Sequence, residues 1–416
     1  MSYKIIQGNN IDVLKTYPDN HFDSIVTDPP YQINFLGKDW DKSVGSVELY
    51  KECLRVLKPG GHMLAFSAAR TYHHLAMAAE NAGFEIRDQI MWIYSSGFPK
   101  SQDIGKSIDR SENKRKNANT GDKWNNQRGK VNTTTCTQCN KNNVIIGIGF
   151  NCKETDCEMA ERLKPAENEW AGWGTQLKPA HEPIVMARKP LGKGNSIARN
   201  CQEHGTGALN IDATRIPFID AAEQERYKKQ RIANANQPDN PRKTALGSFA
   251  DKLNLTTSSD YIEPVVSGIG RFPSNVIGEL GEYQKFFYCP KVGRKERHLG
   301  FDLTDIATNP EGKYDRTNTT DNANERIENM NGNNHPTVKP IKLMEYLIKL
   351  ITPPGGTVLD PFNGSGSTGC AAVGLGFNYV GIDLDATYVD ISNKRIDAWT
   401  KPNNTFDDLF DDADVE

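Results

Sequence analysis

No stretch of this 416-residue chain approaches eighteen consecutive apolar residues, and its start, MSYKIIQGNN, lacks an apolar leader core. Membrane-spanning helices and export signals are therefore not expected, and the reading is a soluble, cytoplasmic protein. Apolar residues are also scarce overall, at 37%, so long polar segments must lie beside an ordinary core. Strong charge of either sign is missing too, with a formal net charge of −3. That value hides an asymmetry, because six acids fall between Asp407 and Glu416 and the rest of the chain is left at +3. A Pro-Cys pair is absent; the chain offers only Cys289-Pro290, in the reverse order. Eight cysteines over this length suggest reduced thiols or metal ligands rather than a disulfide framework.

What is present reads as an α/β chain with long insertions. YKIIQG and FDSIVTD are strand-like, and SVELYKECLRVL has helical spacing, with Pro59-Gly60-Gly61 as its expected stop. HMLAFSA and RDQIMWIYS are further strands around a helix closed by Gly83, so residues 1–100 imply a parallel sheet. A polar, basic insertion follows over 101–169, then a returning strand in 170–190 and a second polar region over 191–334. Order resumes in 335–398, and 399–416 is an acidic tail.

Two stretches carry chemistry. In TDPPYQINF an acid and two prolines end a buried strand abruptly at Asp28, Pro29, Pro30 and Tyr31. In VLDPFNGSGSTG a strand ends at Asp360, with Pro361, Phe362 and then Gly364, Gly366 and Thr368 at a turn before a helix; Asp383 closes the next strand. Glycines at that spacing permit a tight turn, and an acid 19 residues beyond Gly364 suits ribose hydroxyls. The carboxylate of Asp360 beside the turn disfavours a diphosphate and favours a cationic ligand, as S-adenosylmethionine is. A glycine-rich turn normally follows the first strand of a doubly wound sheet, whereas here most strands precede it. The sheet is thus expected to be circularly permuted, with the ends of strands 24–27 and 357–360 side by side at one crevice.

TDPPY, then HPTVKP, then LDPFNGSGSTG with YVGIDLD resembles the permuted class of prokaryotic and phage DNA amino-methyltransferases, over roughly residues 3–100, 170–190 and 335–397. The resemblance implies a Rossmann-like methyltransferase sheet, doubly wound and permuted, with polar target-recognition insertions. It also implies S-adenosylmethionine as cofactor, double-stranded DNA as partner, and adenine N6 as methyl acceptor, with cytosine N4 as the alternative. Asp28, Pro29, Pro30 and Tyr31 would surround the amine of a flipped base. The second stretch, with His335, Thr337 and Lys339, would hold the cofactor, Lys339 reaching its methionine carboxylate. Asn9 stands where the family usually carries an aspartate near the cofactor adenine. A nicotinamide-linked dehydrogenase and a non-catalytic DNA-binding module are the alternatives from other classes.

Three further expectations concern the insertions and tail. Between residues 95 and 130 nine Lys and Arg face four acids, interleaved with Asn and Gln, which suits phosphates and base edges. Cys136, Cys139, Cys152 and Cys157 are spaced to surround a structural zinc ion. Phe406, Leu409 and Phe410 among the tail acids loosely resemble peptides that dock on sliding clamps. The oligomeric state stays open, a homodimer included.

Overall fold

The computed structural model describes residues 2–33, 41, 43–94, 101–108, 111, 168–192, 194–235, 270–278, 291–301 and 332–401. Eight strands form one sheet: β1 Tyr3–Gln7, β2 Phe22–Thr27, β3 Leu57–Phe66, β4 Glu85–Ile93, β5 His181–Arg188, β6 Val276–Gly278, β7 Thr357–Asp360 and β8 Asn378–Asp383. Their order across the sheet is β1-β8-β7-β2-β3-β5-β4-β6. From the centre, the chain winds outward in both directions, from β2 to β3 and from β7 to β8. The reversal falls between β2 and β7, which pair in parallel with Ser24 opposite Val358 and Ile25 opposite Leu359. This is the permuted juxtaposition expected from the motifs, and it puts the two strand ends at the place where such sheets bind ligands.

Alternation along the central strands explains why the sheet is covered on both faces. Ile25, Met63 and Ala65 pack with α1 Asn10–Lys15, α2 Val47–Val56 and α3 Tyr72–Ala82, through Leu14, Tyr50 and Leu75. Val26 and Leu64 face the other layer, where Leu347, Ala372 and Ile396 belong to helices in the C-terminal part of the chain. Between β5 and those helices lie α4 Ile197–His204, α5 Ala221–Ala235 and α6 Arg294–Arg297. The C-terminal helices themselves are α7 Ile341–Ile351, α8 Ser367–Gly374 and α9 Ala386–Trp399.

Three details differ from the sequence reading. Pro59-Gly60-Gly61 does not stop a helix, because α2 ends at Val56 and these residues lie inside β3. There the register with β2 slips between Phe22 and Ser24, an irregularity that accommodates a proline without a ladder N–H. The sheet is mixed rather than parallel: β5 runs antiparallel to both β3 and β4. The physical reason is that the chain leaves β4 and re-enters β5 at one edge, where the Tyr94 N–H donates to the Ala180 carbonyl (3.0 Å). Finally, the polar region 191–334 contributes to the sheet itself. Its β6 extends the sheet beside β4, and Asn200 and Thr206 both donate to the Pro59 carbonyl.

Among the described residues no helix is long and apolar enough to cross a membrane. The four cysteines at 136–157, residues 112–130 of the basic insertion and the tail beyond 401 lie outside the described residues.

Candidate active site

At the carboxyl edge of β2 and β7 opens a cavity of about 900 Å³, lined by both sequence motifs. The Thr27 hydroxyl donates to Asp360 Oδ1 (2.7 Å) and so ties the two strand ends together.

The Asp28–Tyr31 segment is rigid for a reason visible in its backbone. Two prolines supply no N–H, and the next three N–H groups all converge on one buried acid. Asp41 Oδ1 accepts from Tyr31 (2.8 Å) and Gln32 (3.0 Å), and Oδ2 accepts from Ile33 (3.0 Å). Thr71 donates its hydroxyl to the Tyr31 carbonyl (2.7 Å). Sequence reasoning missed Asp41, since nothing in the local pattern links it to a loop ten residues away.

Four side chains meet around Asp28, and three of them, Asp28, Tyr31 and Lys339, line the cavity. The Tyr31 hydroxyl lies 2.7 Å from Asp28 Oδ1 and 3.1 Å from Glu182 Oε2. Lys339 donates to Asp28 Oδ2 and stands 3.6 Å from Glu182 Oε2. Burial acts against the charge on Lys339, but Asp28 and Glu182 outweigh it and hold the ammonium above its ordinary range. Burial and the same two acids push the Tyr31 phenol well up, so it stays neutral. The Lys339 amine engages Asp28, 311 residues away in sequence. Glu182 was missed, although an acid opening the apolar run HEPIVMAR is a signal of sorts.

The remaining motif residues line the same cavity. Asp360 is almost fully buried and accepts from Thr27, Thr368 (2.7 Å) and the Phe362 N–H (3.0 Å). Burial nevertheless pushes its carboxyl up to about 6. Asp383 is likewise raised to about 6 by burial, while accepting from the N–H groups of Gly364 (2.7 Å) and Asp385 (3.0 Å). Burial drives His335 down to about 3, so its ring is neutral; its Nδ1 lies 2.8 Å from the Thr337 carbonyl. Gly364 and Gly366 both have positive φ, and a Cβ would meet the His335 ring at 2.8 Å and Ser392 Oγ at 2.2 Å, respectively. Glycine is thus required there by the turn and by packing. Asn9 lines the cavity, but its side-chain carbonyl caps α1 by accepting from Ile11 and Asp12.

Charge decides what this cavity suits. Its lining contains Asp28, Asp41, Asp360, Asp383 and Asp385 against Lys339, which is already paired, and a neutral His335. A diphosphate would meet repulsion here, whereas a sulfonium and an α-ammonium would not. Among the described residues no cluster is placed to hold a metal ion.

A permuted α/β sheet with an Asp-Pro-Pro-Tyr lip facing a glycine-rich turn defines a methyltransferase-type fold. The family model described as DNA methylase, of the N6/N4 type, matches residues 22–394, and the chain belongs to that family. Over 121 residues it is 35% identical to the type II methyltransferase M2.DpnII of Streptococcus pneumoniae, covering 29% of this chain and 44% of that protein. Over 80 residues it is 42% identical to the type II methyltransferase M.HinfI of Haemophilus influenzae, covering 19% of this chain and 22% of that protein. The chain thus spans less than half the length of these curated relatives. Among solved structures it is similar to a complex of M1.HpyAVI with SAM, at 17% identity and TM-score 0.37, covering 94% of this chain and 99% of that one. It is also similar to PvuII DNA methyltransferase (cytosine-N4-specific), at 13% identity and TM-score 0.43, covering 98% and 90%.

Proposed function

We propose that the protein transfers a methyl group from S-adenosylmethionine to adenine N6 in duplex DNA. The observation that carries this reading is one acid-lined cavity whose lining joins Asp28 and Pro29 from one motif to Asp360 and Asp383 from the other. Bound S-adenosylmethionine supplies an electrophilic methyl group on a sulfonium. Asp360 and Asp383 would hold it, the first as counter-charge and the second as acceptor for ribose hydroxyls.

The chain's part is to make a poor nucleophile act. An exocyclic amine delocalises its lone pair into the base. Two acceptors on its hydrogens, the Asp28 carboxylate and the Pro29 carbonyl, would direct that lone pair outward, and the prolines keep the carbonyl in place. Tyr31 offers its ring face to a base taken out of the duplex. Asp28 then accepts the proton that the nitrogen sheds after the new N–C bond forms, and no covalent enzyme intermediate is needed. Adenine N6 is favoured over cytosine N4 because the lip begins with aspartate, as in the adenine enzymes it resembles. The test is incubation with methyl-labelled cofactor and duplex, then digestion to nucleosides. Labelled N6-methyladenosine is expected; label on cytosine would move the acceptor, and no label would end the proposal.

Two predictions follow from the cofactor end. Asp383→Ala should weaken S-adenosylmethionine binding by about 1–3 kcal/mol, the scale of a lost charged hydrogen bond. Calorimetry that finds unchanged affinity would refute the ribose role. The second concerns pH. A cationic ligand favours ionised carboxylates, so it lowers the raised values of Asp360 and Asp383 and releases protons near pH 6. Affinity should therefore rise between pH 5 and about 7.5. Titrations at pH 6 in buffers of different ionisation enthalpy should show net proton release; uptake would contradict the assignment.

A further inference from the structure

Asp28 has no idle oxygen. Its Oδ1 takes the Tyr31 hydroxyl and its Oδ2 takes the Lys339 ammonium. Each oxygen keeps a second lone pair, but one already engaged by a phenol or a cation is a weaker acceptor for an amine hydrogen, so a second acid that takes up the phenol and the cation strengthens Asp28.

Glu182 is that acid. Its Oε2 is 3.1 Å from the Tyr31 hydroxyl and 3.6 Å from Lys339 Nζ, and the phenol has a single proton that serves one acid at a time. The antiparallel course of β5 is what delivers this acid, because the strand starts at the carboxyl edge of its neighbours. Among the described residues the Tyr94 hydroxyl also lies 3.5 Å from Glu182, and Lys291 stands over the Tyr94 ring, 3.8 Å from its centroid.

We infer that Glu182 is a positioning residue that shares Lys339 and Tyr31 with Asp28, freeing Asp28 for the target amine while keeping the reacting end net negative. The inference rests on the methyl-transfer reading. Asp28, Glu182 and Lys339 sum to one negative charge. During methyl transfer positive charge grows on the amine nitrogen, so a negative surround stabilises the transition state more than the ground state. With a neutral residue at 182 the trio would sum to zero.

Glu182→Gln separates this role from simple propping, since the amide keeps the shape and an oxygen acceptor for Tyr31. On a duplex that the wild type methylates, the single-turnover rate should fall about 10- to 100-fold, the scale of one charged group at a transition state. Affinities for cofactor and duplex should stay within about threefold, that is, under about 0.7 kcal/mol. Glu182→Asp should recover part of the rate. Independently of activity, the Lys339 ammonium, followed by NMR in lysine-labelled protein, should titrate lower in the Gln variant than in wild type. A Gln variant with wild-type rate, or one whose loss lies wholly in affinity, would overturn the inference, as would an unmoved Lys339 titration. A wild type that methylates no duplex would sink the methyl-transfer reading itself and this inference with it.

Discussion

Asp28→Ala is expected to reduce methyl transfer at least about 10²–10³-fold, comparable to removing one preorganised group from a transition state. The affinity for S-adenosylmethionine should barely move. The reasoning is spatial: the cofactor groups are assigned to Asp360 and Asp383, whereas Asp28 bonds only to Tyr31 and Lys339 among the hydrogen bonds seen at its carboxylate. Losing Asp28 leaves Lys339, which is 7% exposed, with Glu182 at 3.6 Å as its remaining acid in the cluster. Asp28→Asn is therefore the companion variant, because it keeps the shape and lowers the risk of a folding defect. It should lose methyl transfer while melting above the alanine variant. If either variant lost cofactor binding as completely as transfer, Asp28 would have to be moved to the cofactor end of the cavity.

How far the sequence revealed this site depends on how local each signal is. The two strand ends and their adjacency were legible because Asp28-Pro29-Pro30 and Gly364–Gly366 are local punctuation. The chain order of the motifs then forces the permutation, which the pairing of Ser24 with Val358 realises. Glu182 and Asp41 were not legible, because each acts on the lip only through tertiary approach. Lys339 lies on the cavity named from the motifs, and its pairing with Asp28 is a contact the motifs did not announce. Lys339 precedes the helix that opens at Ile341 and meets Asp28 only through tertiary approach, which helical spacing cannot encode. Asn9 illustrates the converse. Its position at the start of α1 makes it a helix cap, a role that Asn at a strand-to-helix turn fills readily.

A second large effect should come from a residue far from the reacting end. Arg395 on α9 is fully buried, and Arg395→Ala is expected to destabilise the protein by about 3–5 kcal/mol, as removal of one member of a buried charged network does. Its Nη1 donates to the Ser365 carbonyl (2.6 Å) and to the hydroxyls of Ser365 (3.1 Å) and Ser367 (3.3 Å). Its Nη2 donates to the Glu296 carbonyl (3.3 Å) in α6. The Glu296 carboxylate, raised by burial and eased by Arg395, in turn accepts the Ile341 N–H that opens α7. One guanidinium therefore joins the glycine-rich turn, α6 and the approach to α7 from inside the core. Without it, the Ser365 and Glu296 carbonyls lose a buried donor and the Glu296 carboxylate loses its nearby positive charge. Arg395→Lys restores charge without the planar fork and should recover only part of the loss. Denaturant unfolding of the three proteins gives the comparison, and cofactor affinity should fall together with stability because the turn at Ser365 loosens. A loss below about 1 kcal/mol in the alanine variant would show that water replaces the guanidinium at little cost, and that this network does not hold the turn.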